Sequence, residues 1–495
     1  MTNENVEQQS VYMRANYQNI GMLAGPAIFA LMMFFDGVQQ TMPTEAWRTA
    51  AVGIWMALWW ATEAIPVPVT AFIPLVVFDL LGISSIKDAA APYANPIIYL
   101  FLGAFLLAIA VERWNLHKRI ALMILTKTGT DGQRLIAGFM LVSAVLSMWM
   151  TNTSTTMMLM PIGLSVVKVI IDHASELNAK QQTDFQVAML LSLAYGATIG
   201  GLSTLVGTPP NALLAAFLQE SYGIEISFAS WMAVGVPVMI LMLPITWFVL
   251  TRLAFKVTVK ENPAVQAHLS KLRSELGPMR SAERRVAVIF CLVIFAWMLR
   301  RPLEAALNLE GVSDTGIVMV AALLLFLMPS GEKEQPQLLT WHDANRLPWA
   351  VLILFGGGLS LAAAVSNTGL ALWLGESLAP LGNIGVVALV IAAAGLVIFL
   401  TELTSNLATA ATFLPVMGAI AIQTGLDPFM LSVPITLAAS CAFMLPVATP
   451  PNAIVFASGA ITIPQMVRGG LMLNIVGMFL ISIVSIWWAP YIFSS

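Results

Sequence analysis

Apolar runs of membrane-spanning length recur along almost the whole chain. Nine continuous runs centre near residues 28, 55, 74, 103, 238, 292, 322, 357 and 480. A helix needs about 20 mostly apolar residues to cross the hydrocarbon core of a bilayer. Charged residues make up only 10% of the sequence, whereas a soluble domain carries about 25%. The pattern therefore predicts an all-α polytopic membrane protein whose surface faces the lipid bilayer.

Four longer apolar regions are interrupted by polar residues or by proline and glycine. They cover about 135–172, 184–218, 384–424 and 428–460. The interruptions are Thr151-Asn152-Thr153-Ser154-Thr155-Thr156, Gly200-Gly201 followed by Thr208-Pro209-Pro210-Asn211, Thr404-Ser405-Asn406, and Ala448-Thr449-Pro450-Pro451-Asn452. Backbone that leaves the helical conformation at membrane depth is tolerated only where protein buries it or water reaches it. We therefore expect the four interruptions to meet at a central site.

The interrupted regions are duplicated in the same order. Residues 100–111 resemble 354–365, and residues 151–161 resemble 405–415, both at a separation of 254 positions (103 to 357, 152 to 406). The Thr-Pro-Pro-Asn-Ala motif at 208–212 recurs at 449–453. The matches predict two structural repeats. The predicted units are the N-terminal tail and first helix (1–44), a first repeat (45–255), a connecting arm (256–284) and a second repeat (285–495).

The positions of the basic residues predict the orientation. Treating 135–172 and 384–424 as re-entrant hairpins and the other two regions as broken helices gives about eleven transmembrane helices. Loops on the N-terminal side then hold 19 of the 23 basic residues, and the opposite side holds only Arg48, Lys87, Arg300 and Arg301. Because Lys and Arg accumulate in cytoplasmic loops, we expect a protein of the cell (inner) membrane with a cytoplasmic N-terminus and arm and an outside C-terminus. Repeats of inverted topology with broken helices are typical of secondary transporters.

At each interruption one half-helix ends and another begins. The C-terminal end of a helix carries free carbonyl groups and partial negative charge, and the N-terminal end carries free N–H groups and partial positive charge. A cation therefore suits the first end and an anion suits the second. Asn152 offers both an acceptor and a donor, so it can contact both ligands. The backbone at Gly200 and Ala448 offers carbonyl oxygens for a hard cation.

The distribution of charge favours a transporter that couples to cations over a passive channel. No Lys or Arg falls in the middle of any core segment. Half-helix ends and amides alone would hold a doubly charged anion only at a large desolvation cost, which co-bound cations would offset. Two carboxylates at membrane depth, Glu63 and Glu402, are either proton relays or side chains held by nearby helix N-termini.

Other classes of function have less support in the sequence. A phosphate-binding loop is missing, so direct drive by ATP is not encoded. The apolar segments contain no Ser/His, paired-Asp or His-rich constellation, so we do not expect an enzyme. Cys291 and Cys441 lie inside apolar runs and are expected to pack as small hydrophobic side chains. The basic residues do not form a face for nucleic acid, so none is expected as a partner.

The duplicated motifs resemble those of a known family, the divalent anion/sodium symporters, which include dicarboxylate and citrate carriers. The resemblance extends over nearly the whole chain and includes Trp59-Trp60-Ala61-Thr62-Glu63-Ala64-Ile65-Pro66. It implies eleven helices, one re-entrant hairpin from each side of the membrane, and two inverted repeats. It also implies a homodimer with an elevator motion. The implied function is sodium-coupled symport of small di- or tricarboxylate anions of the succinate, malate and fumarate class, with two or more Na⁺ ions carried.

The resemblance also implies the residues of the binding site. The first sodium site would use Ser147, Thr151, Asn152 and the backbone of Gly200. The second would use Thr401, Thr404, Asn406 and the backbone of Ala448. The substrate carboxylate would contact Asn152, Thr153, Asn406, Leu407 and Pro450, with Thr208 nearby.

One position departs from the family pattern. The second motif of the family reads Ser-Asn-Thr, whereas this chain has Leu407 in the third place. The change removes a hydroxyl donor and adds an apolar wall, which can alter ligand preference strongly. Two alternatives therefore stay open beside sodium symport of carboxylates: a sodium-independent dicarboxylate exchanger of the same fold, and a carrier of sulfate or another oxyanion.

Overall fold

The protein is helical throughout the part of the chain that the structure, a computed structural model, describes: residues 15–38, 42–173, 177–308, 311–333, 335–378 and 385–493. Helices are the only regular secondary structure in these ranges, apart from one isolated β-bridge between Pro329 and Gln337. Eight of the described helices are long and apolar enough to cross a membrane: Asn16–Phe34, Ile86–Arg113, Asn152–His173, Phe228–Ala254, Ser281–Ala306, Trp349–Asn367, Asn406–Gln423 and Ile463–Phe493. The predicted class, an all-α polytopic membrane protein, is confirmed. Positions 1–14 of the predicted tail lie outside the described residues.

The first helix, Asn16–Phe34, packs on Thr44–Thr62 and otherwise faces outward. Only 11% of the residues in its 18-residue apolar segment are buried within the protein. The backbone of Gly21 lies so close to Thr62 that a methyl group there would overlap with the Thr62 side chain. This helix therefore presents most of its surface to lipid and is held by one closely packed neighbour.

The apolar run near residue 74 does not form one continuous helix, as its length had led us to expect. Two short helices, Val67–Thr70 and Ile73–Val77, cover it, and turns follow up to residue 82. Pro66, Pro68 and Pro74 explain the interruption, because proline lacks a backbone N–H and its ring clashes with the preceding helical turn.

Each of the four interrupted regions is a pair of helices with a short non-helical segment between them. The helices of the two predicted hairpins are Gly132–Ser147 with Asn152–His173, and Val386–Thr401 with Asn406–Gln423. We call residues 148–151 the first tip and residues 402–405 the second tip. The predicted hairpin regions, 135–172 and 384–424, overlap these two helix pairs, and position 384 lies outside the described residues.

The two predicted broken helices have longer interruptions. Their helical parts are Ala179–Gly201 with Pro209–Tyr222, and Phe429–Ser440 with Pro450–Ala457. We call residues 202–208 the first break and residues 441–449 the second break. Gly200 and Gly201 were expected to interrupt the first of these helices, but they form its last turn. The reason is that these glycines permit close helix packing, since a methyl group at Gly200 would overlap with the backbone of Ala144.

Two helices form the wall opposite the tips. Pro96–Arg113 and Trp349–Asn367 contact each other, and 67% of the apolar window of each is buried. The rings of Phe101 and Phe355 lie 5.0 Å apart between centroids. These two residues occupy matching positions in the duplicated segments, so the duplicated helices meet at equivalent side chains.

The connecting arm folds onto the protein. Its helix Pro263–Glu275 contacts Leu116–Leu125 and Asn152–His173. Val265 and Leu269 are fully buried, so the apolar face of this helix is covered by protein. The remaining long helices are Phe228–Phe248 with a π-helical end at Val249–Ala254, Ser281–Leu307, Asp314–Leu327 and Ile463–Ile483.

Candidate functional site

A cavity of about 780 Å³ lies where the tips and breaks meet. Polar and backbone-exposing residues of the tips, the breaks and the helix starts that follow them form one side: Thr151, Asn152, Thr153, Ser154, Gly207, Thr208, Ser405, Asn406, Ala448, Thr449 and Pro450. Apolar residues of Pro96–Arg113 and Trp349–Asn367 form the opposite side: Phe101, Phe105, Ala108, Ile109, Val351 and Leu354. The cavity thus combines a polar face made of interrupted helices with an apolar wall.

Four of the described helices begin at this cavity. Their first residues are Asn152, Pro209, Asn406 and Pro450, and all four line the cavity. Prolines fit the first helical position because the backbone N–H is unsatisfied there in any case. The first turn of a helix presents free N–H groups and partial positive charge. Four such ends around one cavity make it suitable for an anion.

The first tip holds the Asn152 side chain in a fixed orientation. The Ser147 hydroxyl donates a hydrogen bond to Asn152 Oδ1, and Thr151 Oγ1 accepts one from the Ser154 backbone N–H at 3.1 Å. A Cβ atom on Gly201 would lie 2.7 Å from Asn152 Oδ1, so the amide packs directly on this glycine. Because the carbonyl oxygen is bonded to Ser147, the Asn152 amide N–H₂ is left to donate into the cavity.

The second tip repeats this arrangement. Thr401 Oγ1 lies 3.0 Å from Asn406 Oδ1 and 2.8 Å from the backbone oxygen of Ala439. Ser147 and Thr401 are each the last residue of a helix, where unsatisfied carbonyl groups give partial negative charge. Each tip therefore groups hydroxyl, amide and backbone oxygens at a helix C-terminus. Neutral oxygen atoms in such a setting are suitable ligands for a hard cation.

Two buried asparagines donate hydrogen bonds to backbone oxygens in and next to the breaks. Asn211 Nδ2 donates to the backbone oxygens of Gly201, Leu202 and Thr204 at 3.1, 3.3 and 2.7 Å. Asn452 Nδ2 donates to those of Ala442 and Leu445 at 3.2 and 3.0 Å. Both side chains are fully buried. The Asn of each Thr-Pro-Pro-Asn motif therefore satisfies carbonyl groups that the interrupted helix leaves free.

Glu402 lies at the second tip and holds the second break. Its carboxylate accepts hydrogen bonds from the backbone N–H groups of Phe443, Met444 and Leu445 at 2.8 to 3.1 Å. The Asn474 side-chain amide donates a further bond at 2.7 Å. The carboxylate is thus held by backbone N–H groups, but these belong to the second break and not to a helix N-terminus, as one of the two predicted roles would require. Glu63, in contrast, lines the cavity.

The predicted site residues divide into two layers. Eight of them line the cavity: Thr151, Asn152, Thr153, Thr208, Asn406, Leu407, Ala448 and Pro450. Ser147 and Thr401 lie behind them and bond to the two asparagines. The Gly200 backbone oxygen accepts a bond from Ser203 Oγ at 2.5 Å. The Thr404 hydroxyl bonds to Leu400 and Thr409 within its own hairpin, at 3.1 and 2.6 Å.

The sequence did not indicate an ion pair that lines the cavity. Glu112 ends the helix Pro96–Arg113, Arg346 precedes Trp349–Asn367, and their side chains are 2.7 Å apart. Both residues line the cavity. Glu112 lies in the last turn of its helix and Arg346 in a turn, both outside the duplicated motifs, and their pairing depends on how the two helices pack. The apolar wall was likewise not assigned to the site, because its residues look like ordinary core positions in the sequence.

Comparison with known proteins finds relatives over almost the whole chain. The family described as the sodium:sulfate symporter transmembrane region matches residues 18–494. The chain is 40% identical over 481 residues to the sodium-dependent dicarboxylate transporter SdcS of Staphylococcus saprophyticus, which covers 96% of this chain and 92% of that protein. It is 41% identical over 479 residues to SdcS of Staphylococcus aureus strain USA300, with the same coverage.

A solved structure shares the fold. The YdaH transporter of Alcanivorax borkumensis aligns with a TM-score of 0.53 over 94% of this chain and 98% of that one. The two sequences are 14% identical, so this likeness concerns the architecture of the chain alone.

Proposed function

The chain belongs to the sodium:sulfate symporter family, and we propose that it is a secondary transporter that carries small dicarboxylate anions together with sodium ions. The family agrees with the one indicated by the duplicated motifs. The observation that carries the proposal is the identity of about two fifths, over 96% of the chain, to proteins named sodium-dependent dicarboxylate transporters. A cavity surrounded by helix N-termini supports the same substrate class.

We assign the substrate carboxylates to the polar side of the cavity. The amide groups of Asn152 and Asn406 and the hydroxyl groups of Thr153 and Thr208 supply donors from both halves of the chain. The helix starts add backbone N–H groups and partial positive charge. Pro450 and Leu407 complete the contact surface, and Leu407 faces the substrate where a hydroxyl group is usual in the family.

We assign the sodium ions to the helix C-termini behind the asparagines. The first site uses Ser147, Thr151, Asn152 and the backbone of Gly200. The second uses Thr401, Thr404, Asn406 and the backbone of Ala448, and the Ala439 backbone oxygen beside Thr401 is a further ligand. Each Asn carbonyl oxygen would exchange its hydrogen bond from Ser147 or Thr401 for the ion, so that ion binding sets the orientation of the amide that meets the substrate.

The charge of the cavity gives sodium coupling a physical reason. Its charged lining residues within the described chain are Glu63, Glu112 and Arg346, and the last two neutralise each other as an ion pair. The lining therefore supplies no net positive charge to a dianion. At least two co-bound sodium ions would neutralise the substrate and lower the desolvation cost of moving it through the membrane.

We propose an elevator mechanism for the movement itself. The tips and breaks form one side of the cavity, and Pro96–Arg113 with Trp349–Asn367 form the other. Sliding of the first side along the apolar wall would carry substrate and ions together. The contact between Phe101 and Phe355 supports two repeats related by a two-fold axis, covering 45–255 and 285–495. A homodimer in the inner membrane, with a cytoplasmic N-terminus and an outside C-terminus, completes the proposal.

Uptake of labelled succinate into proteoliposomes tests the function. We expect uphill uptake with an inward sodium gradient and none with an inward potassium gradient. Uptake that ignores sodium but requires internal dicarboxylate would replace the proposal with an exchanger. Sodium-driven uptake of labelled sulfate, with no uptake of labelled succinate, malate or fumarate, would replace it with an oxyanion carrier.

A further inference from the structure

A second cavity, separate from the first, lies on the connecting arm. It has a volume of about 510 Å³ and is formed by the helix Pro263–Glu275, the end of Leu116–Leu125 and the turn before Ser281–Leu307. Three basic side chains line it, accompanied by polar groups that donate hydrogen bonds: Arg119, Lys127 and Arg273, with Gln266, Ser270 and Ser274. None of its described lining residues is acidic. The cavity is therefore a concentration of positive charge and donors.

One wall of this cavity is fixed by hydrogen bonds. Arg119 donates to the Gly277 backbone oxygen at 3.1 Å and to Glu283 Oε2 at 3.0 Å. Glu283 is only 4% exposed, so this ion pair is well shielded. Gln266 Nε2 donates to the Thr126 backbone oxygen at 3.3 Å and connects the opposite wall. The cavity is thus held open by contacts that do not use Lys127 or Arg273.

Lys127 and Arg273 carry the uncompensated charge. Neither forms an ion pair with any described carboxylate, whereas the charge of Arg119 is balanced by Glu283. A guanidinium group offers paired N–H donors that match two oxygens of a phosphate, and an ammonium group adds a compact charge. Ser270 and Ser274 can donate to the remaining oxygens.

We propose that this arm cavity binds a phosphate-bearing anion. Its chemistry is that of a phosphate group, which occurs both in soluble phosphates and in the headgroups of anionic phospholipids. A transported dicarboxylate is less suitable, since the open cavity lacks the helix N-termini that surround the central one. The cavity lies on the side of the protein predicted to be cytoplasmic, where basic residues concentrate.

Occupancy of the arm cavity would act on the first hairpin. The arm helix Pro263–Glu275 packs on Asn152–His173, and His268 Nε2 lies 3.0 Å from Ser165 Oγ on that helix. An anion that bridges Arg273 to Lys127 would fix the arm helix against Leu116–Leu125. The arm helix would then limit the movement of the hairpin that carries Asn152.

Two binding experiments on the purified full chain test the proposal. In phospholipid-free detergent, inorganic phosphate is titrated while the unfolding temperature is recorded. In parallel, native mass spectrometry counts phosphatidylglycerol retained from nanodiscs of phosphatidylglycerol and phosphatidylcholine. We expect saturable binding in at least one of the two experiments. Binding of phosphate alone identifies a soluble ligand, and retention of phosphatidylglycerol alone identifies a headgroup. Absence of binding in both experiments would overturn the proposal.

Paired variants separate a site from general charge attraction. The double variant Lys127→Gln with Arg273→Gln removes both uncompensated cations, and we expect its affinity to fall about tenfold or more because two charge-assisted contacts are lost. The control, Lys271→Gln with Arg280→Gln, removes the same charge from the same arm outside the cavity and should bind as the parent does. Equal loss in both double variants, or no loss in either, would contradict a defined site. Unfolding temperatures without ligand check that both variants fold.

Discussion

The two tips present matching polar groups but are supported by different side chains. In each, a hydroxyl group at the end of one helix bonds to the Asn carbonyl oxygen five residues later, as Ser147 does with Asn152 and Thr401 with Asn406. The residue after that hydroxyl differs: Met148 in the first copy and Glu402 in the second. The duplication thus keeps the hydroxyl group and the amide of each tip and changes the residue between them.

The supports of the two breaks follow from this difference. In the first, Thr204 Oγ1 donates to the Met148 backbone oxygen at 2.5 Å. In the second, Leu445 takes the place of Thr204, and its backbone N–H donates to the Glu402 carboxylate at 2.9 Å. A neutral hydroxyl group in the first copy and a buried carboxylate in the second therefore both connect a tip to its break by hydrogen bonds. Only the second places a full negative charge near a candidate sodium site, which should favour the cation there.

The largest expected effect would test what the tips share. Replacing Asn152 or Asn406 with alanine removes the group assigned to both ligands. A buried hydrogen bond to a charged group contributes about 1.5–3 kcal/mol, and each Asn serves two ligands, so uptake should fall roughly 100-fold in either variant. Uptake in proteoliposomes measures this, with Thr412→Ala as a control in the same hairpin as Asn406. Normal uptake in both Asn variants would remove the tips from the site.

The next largest effect should come from a methyl group added at Gly201, the last residue of the helix before the first break. Gly201 and Ala442 occupy matching positions, and Gly201 packs on the amide of Asn152. Gly201→Ala would displace Asn152, and overpacking of about 1–3 kcal/mol should lower uptake roughly tenfold. Ala442→Gly should lower uptake by less than half of that tenfold factor. Uptake assays on both variants decide the point, and equal effects would mean that the close packing at Gly201 does not orient the amide.

The buried carboxylate is the next difference to test. Glu402→Gln keeps the shape but turns an N–H₂ group toward backbone N–H donors, and unsatisfied buried donors cost about 1–3 kcal/mol. We expect the sodium concentration for half-maximal uptake to rise about fivefold. Met148→Leu, at the matching position, should leave it unchanged. The prediction fails if sodium dependence is the same in parent and Glu402→Gln protein.

The smallest effect should concern substrate preference. Thr153 and Leu407 occupy matching positions and both line the cavity. Leu407→Thr restores a hydroxyl donor, and one such bond contributes about 1 kcal/mol, so the relative preference among dicarboxylates and citrate should shift about threefold to fivefold. Competition against labelled succinate measures the shift. An unchanged competition profile would show that this side chain does not contact the substrate.

Much of this architecture follows from local sequence. The helical class follows from apolar runs of spanning length, and the tips follow from Asn motifs repeated at one separation. The prediction that Gly200 and Gly201 interrupt a helix was wrong, because glycine can also permit close packing between helices. The run near residue 74 was misjudged because hydropathy hid the effect of three prolines. The Glu112–Arg346 pair and the apolar wall depend on contacts between distant helices, which no short motif records.

The apolar wall also bears on pharmacology. A cavity of about 780 Å³ lies within the range of about 300–1,000 Å³ that accommodates drug-sized molecules, and it is far larger than a four-carbon dicarboxylate. A blocker could therefore place a carboxylate between the two asparagines and extend an aromatic tail across Phe101, Phe105 and Ile109. Such a molecule would span both sides of the cavity and block the proposed sliding movement, whereas the dicarboxylate is assigned to the polar side alone.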